Sequence, residues 1–105
     1  PRTPFVARFI GGHNILRDAG RTITLRADDL ALSPLGEAAQ ARRRARVCEI
    51  EYRGADVRVG LETEEGEVLT AVLADRAFYA RPLVIGAPVA VGWPPEAAHE
   101  LSPDG

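Results

Sequence analysis

Arg42, Arg43, Arg44 and Arg46 form the densest group of chemistry-bearing side chains in this 105-residue chain. Guanidinium groups this close together suit an oxyanion or an acidic partner, because each offers several N–H donors in a rigid fork. The plainer reading is a solvated segment balanced by Glu37, Glu49 and Glu51. Glu62, Glu64, Glu65 and Glu67 carry the opposite sign around a hairpin loop. That loop reads either as a polyamine-attracting rim or as charge kept for solubility. Trp93 ends an apolar run before Pro94-Pro95, as a tryptophan at the rim of a core or as a ring for a ligand to stack on.

Covalent and metal chemistry find no support in the sequence. All 13 basic residues are arginine, so a phosphate loop with its lysine is excluded. His13 and His99 lie far apart, and neither belongs to an i, i+4 metal pair. Ser33, Cys48 and Ser102 lack the context of a nucleophile elbow. Cys48 alternates with Ile50 and Tyr52, which places it on an inner face as a small hydrophobe. A single cysteine makes no internal disulfide and no structural zinc site, so a reducing cytoplasm is the default compartment. A net charge of −2 argues against a nucleic-acid partner held by phosphate neutralisation.

The elements that must position these groups are short strands. From Ala45 to Trp93, runs of alternating polarity are punctuated by glycine, as in a small antiparallel barrel or sandwich. Val57, Val59 and Leu61 share one face, Thr63 to Gly66 turn the chain, and Val68, Thr70 and Val72 return on one face with Leu69, Ala71 and Leu73 on the other. A last run, Val89 to Trp93, follows a turn at Ile85 to Pro88. Upstream, Asn14 opens a first strand, Asp18-Ala19-Gly20 is a turn, and Thr22 to Arg26 is a β-branched strand. Ala27 to Leu30 reads as one helical turn with Asp28 and Asp29 at its N-terminus. Pro4 to Ile10, with Phe5 and Phe9 at i, i+4, predicts a short amphipathic helix stopped by Gly11-Gly12. Leu35 to Arg44 lacks an apolar stripe and reads as an exposed loop, and the tail after Trp93 as one helical turn and a frayed end. With no methionine and a proline first, the sequence is expected to be a piece of a longer protein. No apolar run reaches the roughly 20 residues of a membrane helix.

Several stretches resemble a known family. PFVARFIGGHNIL resembles the segment leaving the ATPase domain of bacterial ABC importer ATP-binding subunits, and LRADDLALS an element of their C-terminal domain. EIEYRGADVRV, the acidic hairpin with Gly66, IGAPVAVGW and PPEAAHEL follow the same domain in order. The chain departs from the family pattern at Ala27, where proline is usual, and at Asp28, where glutamate is.

The resemblance implies an all-β fold, a small OB-like TOBE antiparallel barrel with a short N-terminal helix. Residues 1–12 would be the linker helix from a missing ATPase domain and residues 13–105 the barrel. Its implied role is that of a regulatory domain of a transport ATPase, most similar to the spermidine/putrescine branch. The fragment itself would not be an enzyme and would bind no cofactor, since ATP and Mg belong to the absent ATPase domain. Its partners would be that ATPase domain, a second copy in a homodimer and, through the ATPase domain, the transporter's membrane subunits. No nucleic acid is among them. The location implied is cytoplasmic, peripheral to the inner membrane. Asn14, Arg26, Asp28 and Asp29 sit in the resembling elements as candidate interdomain, dimer or ligand contacts. Equally, the two aspartates cap a turn and Arg26 pairs with a neighbouring carboxylate. A rival reading is an oxyanion sensor resembling molybdate-binding barrels, with Arg26 and Arg42 to Arg46 as contacts. A third, an oligonucleotide-binding barrel, has few aromatic platforms to stack on.

Overall fold

The computed structural model describes residues 6–36 and 41–101. In chain order the strands are β1 (Arg8–Ile10), β2 (His13–Asp18), β3 (Arg21–Arg26), β4 (Ala31–Ser33), β5 (Ala41–Tyr52), β6 (Asp56–Thr63), β7 (Val68–Ala74), β8 (Pro88–Gly92) and β9 (His99–Glu100). A 3-10 turn, Ala27–Asp29, separates β3 from β4, and a second, Pro95–Ala97, precedes β9. One helix, α1 (Asp75–Ala80), joins β7 to β8. The strands form two antiparallel sheets, in the orders β1-β2-β3-β9 and β4-β8-β5-β6-β7. The architecture is an all-β, OB-like half-barrel with one short helix placed mid-chain.

The small sheet is built from two tight hairpins. Ile10 faces His13 across Gly11-Gly12, and Asp18 faces Arg21 across Ala19-Gly20. All four turn residues have positive φ, including 52° at Ala19. That is the two-residue hairpin geometry whose twist matches the flanking strands.

One core joins the two sheets. Leu16, Ile23 and Leu25 from the small sheet meet Val47, Val57, Val59, Leu61, Leu69, Val89 and Val91 from the large one. Phe78 of α1 and Trp93 close the cluster, each nearly inaccessible to solvent. The buried face of β6 is the predicted one, and the turn ending at Gly66 stands where the glycine was expected, with φ 88°.

Four sequence expectations are corrected. Arg8–Ile10 is a strand, so Phe9 and Ile10 belong to a hairpin and Gly11-Gly12 is its turn, not the stop of an N-terminal helix; Pro4 and Phe5 lie outside the described residues. Ala41 to Arg44 belongs to β5 rather than to a loop, with Arg43 opposite Val91 of β8; residues 37–40 lie outside the described residues. Cys48 is exposed, because the register with β6 slips between Val47 and Glu49. The bulge turns Cys48 outward and leaves Val47 as the buried residue. Gly60 sits beneath it, where an added Cβ would come within 3.0 Å of Glu49 Cβ. The tail after Trp93 makes the expected helical turn, at Pro95–Ala97, but then adds a strand, β9, where Glu100 pairs with Ile23 and His99 with Thr24; residues 102–105 lie outside the described residues.

Ala19 alone of these turn residues carries a side chain in the left-handed region, at a cost of about 1 kcal/mol that asparagine largely avoids. Ala19→Asn is therefore expected to raise the urea midpoint at unchanged m-value by that order. A lowered midpoint would contradict the turn geometry.

Candidate functional site

Asn14 is fully buried, and its side chain behaves as a piece of backbone. Its Nδ2 donates to the Thr70 carbonyl at 2.8 Å, and the Thr70 N–H donates to its Oδ1 at 2.8 Å. Thr70 lies on β7, the edge strand of the large sheet. Without Asn14 both of its outward backbone groups would be buried and unpaired. Asn14 is thus a clasp between sheets.

Arg26 and Asp28 form a bidentate pair, with Nε to Oδ1 and Nη2 to Oδ2 both 3.0 Å. The hydrogen bond from Arg26, more than its charge, holds the Asp28 carboxyl below its usual range. Folded-state stability from this pair is present above the ordinary carboxylate range and is lost as pH falls through the lowered value. Solvent keeps that contribution small. Asp29 closes the same 3-10 turn, half-buried, and takes no part in the pair.

An open cleft of about 520 Å³ lies beside this pair, within the roughly 300–1,000 Å³ typical of small-ligand sites. Its walls are the Gly11-Gly12 hairpin with Phe9 and His13, the Arg26–Asp28 turn, and Arg53, Arg58 and Val72 of the large sheet. The Ala27 N–H donates to the Gly12 carbonyl at 3.1 Å and fixes the turn against the hairpin. Arg53 is held by Asp56 through two hydrogen bonds of 2.8 and 3.2 Å. Arg58 lies 4.8 Å from the centroid of the Phe9 ring, a cation–π contact that positions the guanidinium without neutralising it. Among the described residues Arg58 forms no ion pair. Three guanidinium groups, His13 and the Asp28 carboxylate thus line the cleft, with Arg26 already paired to Asp28 and Arg53 to Asp56.

Arg53 and Arg58 were not singled out from the sequence, since one reads as a turn residue and the other as the outer face of a strand. Only long-range pairing brings them to Arg26. The conspicuous Arg42 to Arg46 group is elsewhere. Arg43 binds Glu67 at 2.8 Å, Asp18 at 3.2 Å and the Arg17 carbonyl at 2.8 Å. Burial opposes its charge, but hydrogen bonds and charge from Glu67 and Asp18 more than offset this, and its pKa is raised. Arg42 and Arg43 each lie 5.6 Å from the Trp93 ring centroid, so Trp93 is a core residue under a cationic cover. Of the acidic hairpin, Glu67 is committed to Arg43 and to the Thr63 hydroxyl. The Cys48 thiol is pushed up by partial burial, then by Glu62 and Glu49, which makes it a poor nucleophile.

Removing the clasp is expected to be costly. Asn14→Ala should destabilise the domain by about 2–4 kcal/mol, the cost of two buried unpaired groups. Asn14→Asp should fold better in acid. Burial raises the introduced carboxyl's pKa, and only its protonated form can donate to the Thr70 carbonyl, so stability falls as pH rises through the folded-state value. Urea unfolding of both variants across pH checks this; wild-type stability for Asn14→Ala would contradict it.

The described residues contain no group of three or more His, Cys, Asp or Glu able to hold a metal ion, and no helix long and apolar enough to cross a membrane. Comparison with curated proteins returns no match. Among solved structures, the chain is similar to the cytoplasmic molybdate-binding protein ModG in its molybdate-bound form, with TM-score 0.67 at 21% identity. The match covers 81% of this chain and 64% of the ModG chain, so it spans less than two thirds of that protein, and at this identity the likeness is one of fold. The TOBE domain profile matches residues 23–101, from within β3 to just past β9. The match covers most of the chain, and the chain belongs to the TOBE domain family.

Proposed function

We propose that this TOBE domain is an oxyanion-sensing regulatory module, binding a small tetrahedral dianion such as molybdate or sulfate in the Arg26–Arg53–Arg58 cleft. The observation that carries the reading is Arg58, which lies over the Phe9 ring in the wall of an arginine-lined cleft and, though opposite Glu51 across the β5–β6 ladder, forms no ion pair among the described residues. A guanidinium in that position offers paired donors matched to the oxygens of a tetrahedral anion. Similarity of fold to a protein described as molybdate-binding supports the same class of ligand.

The setting we propose is the ATP-binding subunit of a bacterial importer. There the domain would pack on its own ATPase domain, meet a second copy, and lie on the cytoplasmic side of the inner membrane through the transporter's membrane subunits. Residues 1–12 would lead from that ATPase domain, although Arg8–Ile10 enters as a strand. Occupancy of the cleft would then bias subunit contacts and so the transport cycle. The sequence resemblance to the spermidine/putrescine branch points to a polycation as the cargo of the whole transporter. The cleft offers a polycation little as its own ligand, since the carboxylates beside it, Asp28 and Asp56, are already engaged by Arg26 and Arg53.

Calorimetry on the 105-residue chain with molybdate, sulfate, phosphate and spermidine is the test. Heat with a tetrahedral dianion and none with spermidine is expected. Arg58→Ala should weaken that binding at least tenfold, the loss of about one charge-assisted hydrogen bond. Binding of spermidine with no response to any oxyanion would overturn the proposal.

A further inference from the structure

The fork of Arg26 that borders the cleft is already filled, and by a group of the same shape as the proposed ligand. Asp28 presents both carboxylate oxygens to Nε and Nη2 in the planar, two-bond arrangement that an oxyanion makes with a guanidinium. Asp28 is itself a lining residue of the cleft, whereas Asp56, which holds Arg53, is not. The two acids also differ in how firmly they are placed. Asp56 opens β6, and its carbonyl accepts the Arg53 N–H at 2.9 Å, so backbone and side chain lock together. The Asp28 side chain stands on a three-residue 3-10 turn, exposed, with Arg26 as its side-chain partner.

We infer that Asp28 is an internal competitor for the cleft, an affinity-setting residue whose carboxylate an anion must displace from Arg26 in order to bind. The inference rests on the oxyanion reading of the cleft. Its physical basis is an exchange. An entering anion takes over the two hydrogen bonds from Arg26, and the released carboxylate turns to water, which costs little because the pair is already solvent-exposed. A monoanion merely replaces one unit of negative charge on Arg26 with another. A dianion carries a second unit towards Arg58, which lies opposite Glu51 but forms no ion pair among the described residues. Asp28 thus lowers the affinity of the cleft for any anion by one factor, and the preference for dianions comes from Arg58.

The test compares wild type, Asp28→Asn, Asp28→Ala and Asp29→Asn, each first shown by circular dichroism to be folded. Calorimetric affinities are measured for molybdate, a dianion, and perchlorate, a tetrahedral monoanion, at fixed ionic strength. Asp29→Asn removes the same formal charge one residue away from a side chain that does not hold Arg26, and so separates competition from general electrostatics. The expected result is a rise in molybdate affinity of about fivefold for both Asp28 variants, the fold-change an exposed ion pair represents. A rise of about the same factor for perchlorate, and little change in Asp29→Asn, should accompany it. Wild-type molybdate binding that is unchanged or weakened in the Asp28 variants would overturn the inference and leave the oxyanion reading standing, with Asp28 as a brace for Arg26. Equal gains in Asp28→Asn and Asp29→Asn would also overturn it. No binding of either anion by any variant would bring down both.

Discussion

The fold depends on one side-chain amide standing in for a strand. The outward N–H and C=O of Thr70 on the edge strand β7 are covered by the small sheet, and only Asn14 reaches them, with two bonds of 2.8 Å. Each group would cost a kcal/mol or more if left unpaired in the interior, so the position of the small sheet is tightly specified. Asn14 is also the second residue of β2, just after the Gly11-Gly12 turn. Fixing it against β7 fixes the hairpin tip, and with it the wall of the cleft that carries Phe9 and His13.

The other end of the β2–β3 hairpin has its own anchor. Asp18 and the Arg17 carbonyl meet Arg43 of β5, whose guanidinium also binds Glu67 just before β7. Such a partly buried cluster adds modestly to stability, since desolvation offsets much of the attraction. Its geometric effect is larger: the hairpin is tied to the large sheet at both ends and acts as a rigid wall. Arg26 and Asp28, paired and exposed, and Arg58, half-buried against Phe9, border the cleft. Charged groups placed on a rigid frame are what a binding site for a small ion requires.

How much of this was legible in the sequence follows from which patterns are local. Alternation in β3, β6 and β7, the Asp18-Ala19-Gly20 and Gly66 turns, and the turn carrying Asp28 are written in adjacent residues and were read correctly. The β1 strand was mistaken for a helix because a spacing of four, as between Phe5 and Phe9, satisfies a period of two as well as one of 3.6. In β5 the inner positions begin with Arg43 and Ala45, too polar and too small to show an apolar stripe, and the bulge at Cys48 then breaks the alternation, so that Val47 rather than Cys48 is buried while Ile50 packs on the core as expected. The six-residue α1 is too short to show a helical period. The cleft was half visible: Arg26 and Asp28 were noted through family resemblance, while Arg53 and Arg58 join them only through sheet pairing. The densest arginine run drew attention by composition, yet its central member is consumed by structural ion pairs.

The account centres on the place where an oxyanion sits. Backbone amide shifts followed by 15N NMR during a molybdate titration locate it directly. The account predicts saturable shifts at Gly11, Gly12, His13, Ala27 and Arg58, with Ala41 to Arg46 undisturbed. Shifts confined to Arg42, Arg44 and Arg46, or none at millimolar molybdate, would contradict it.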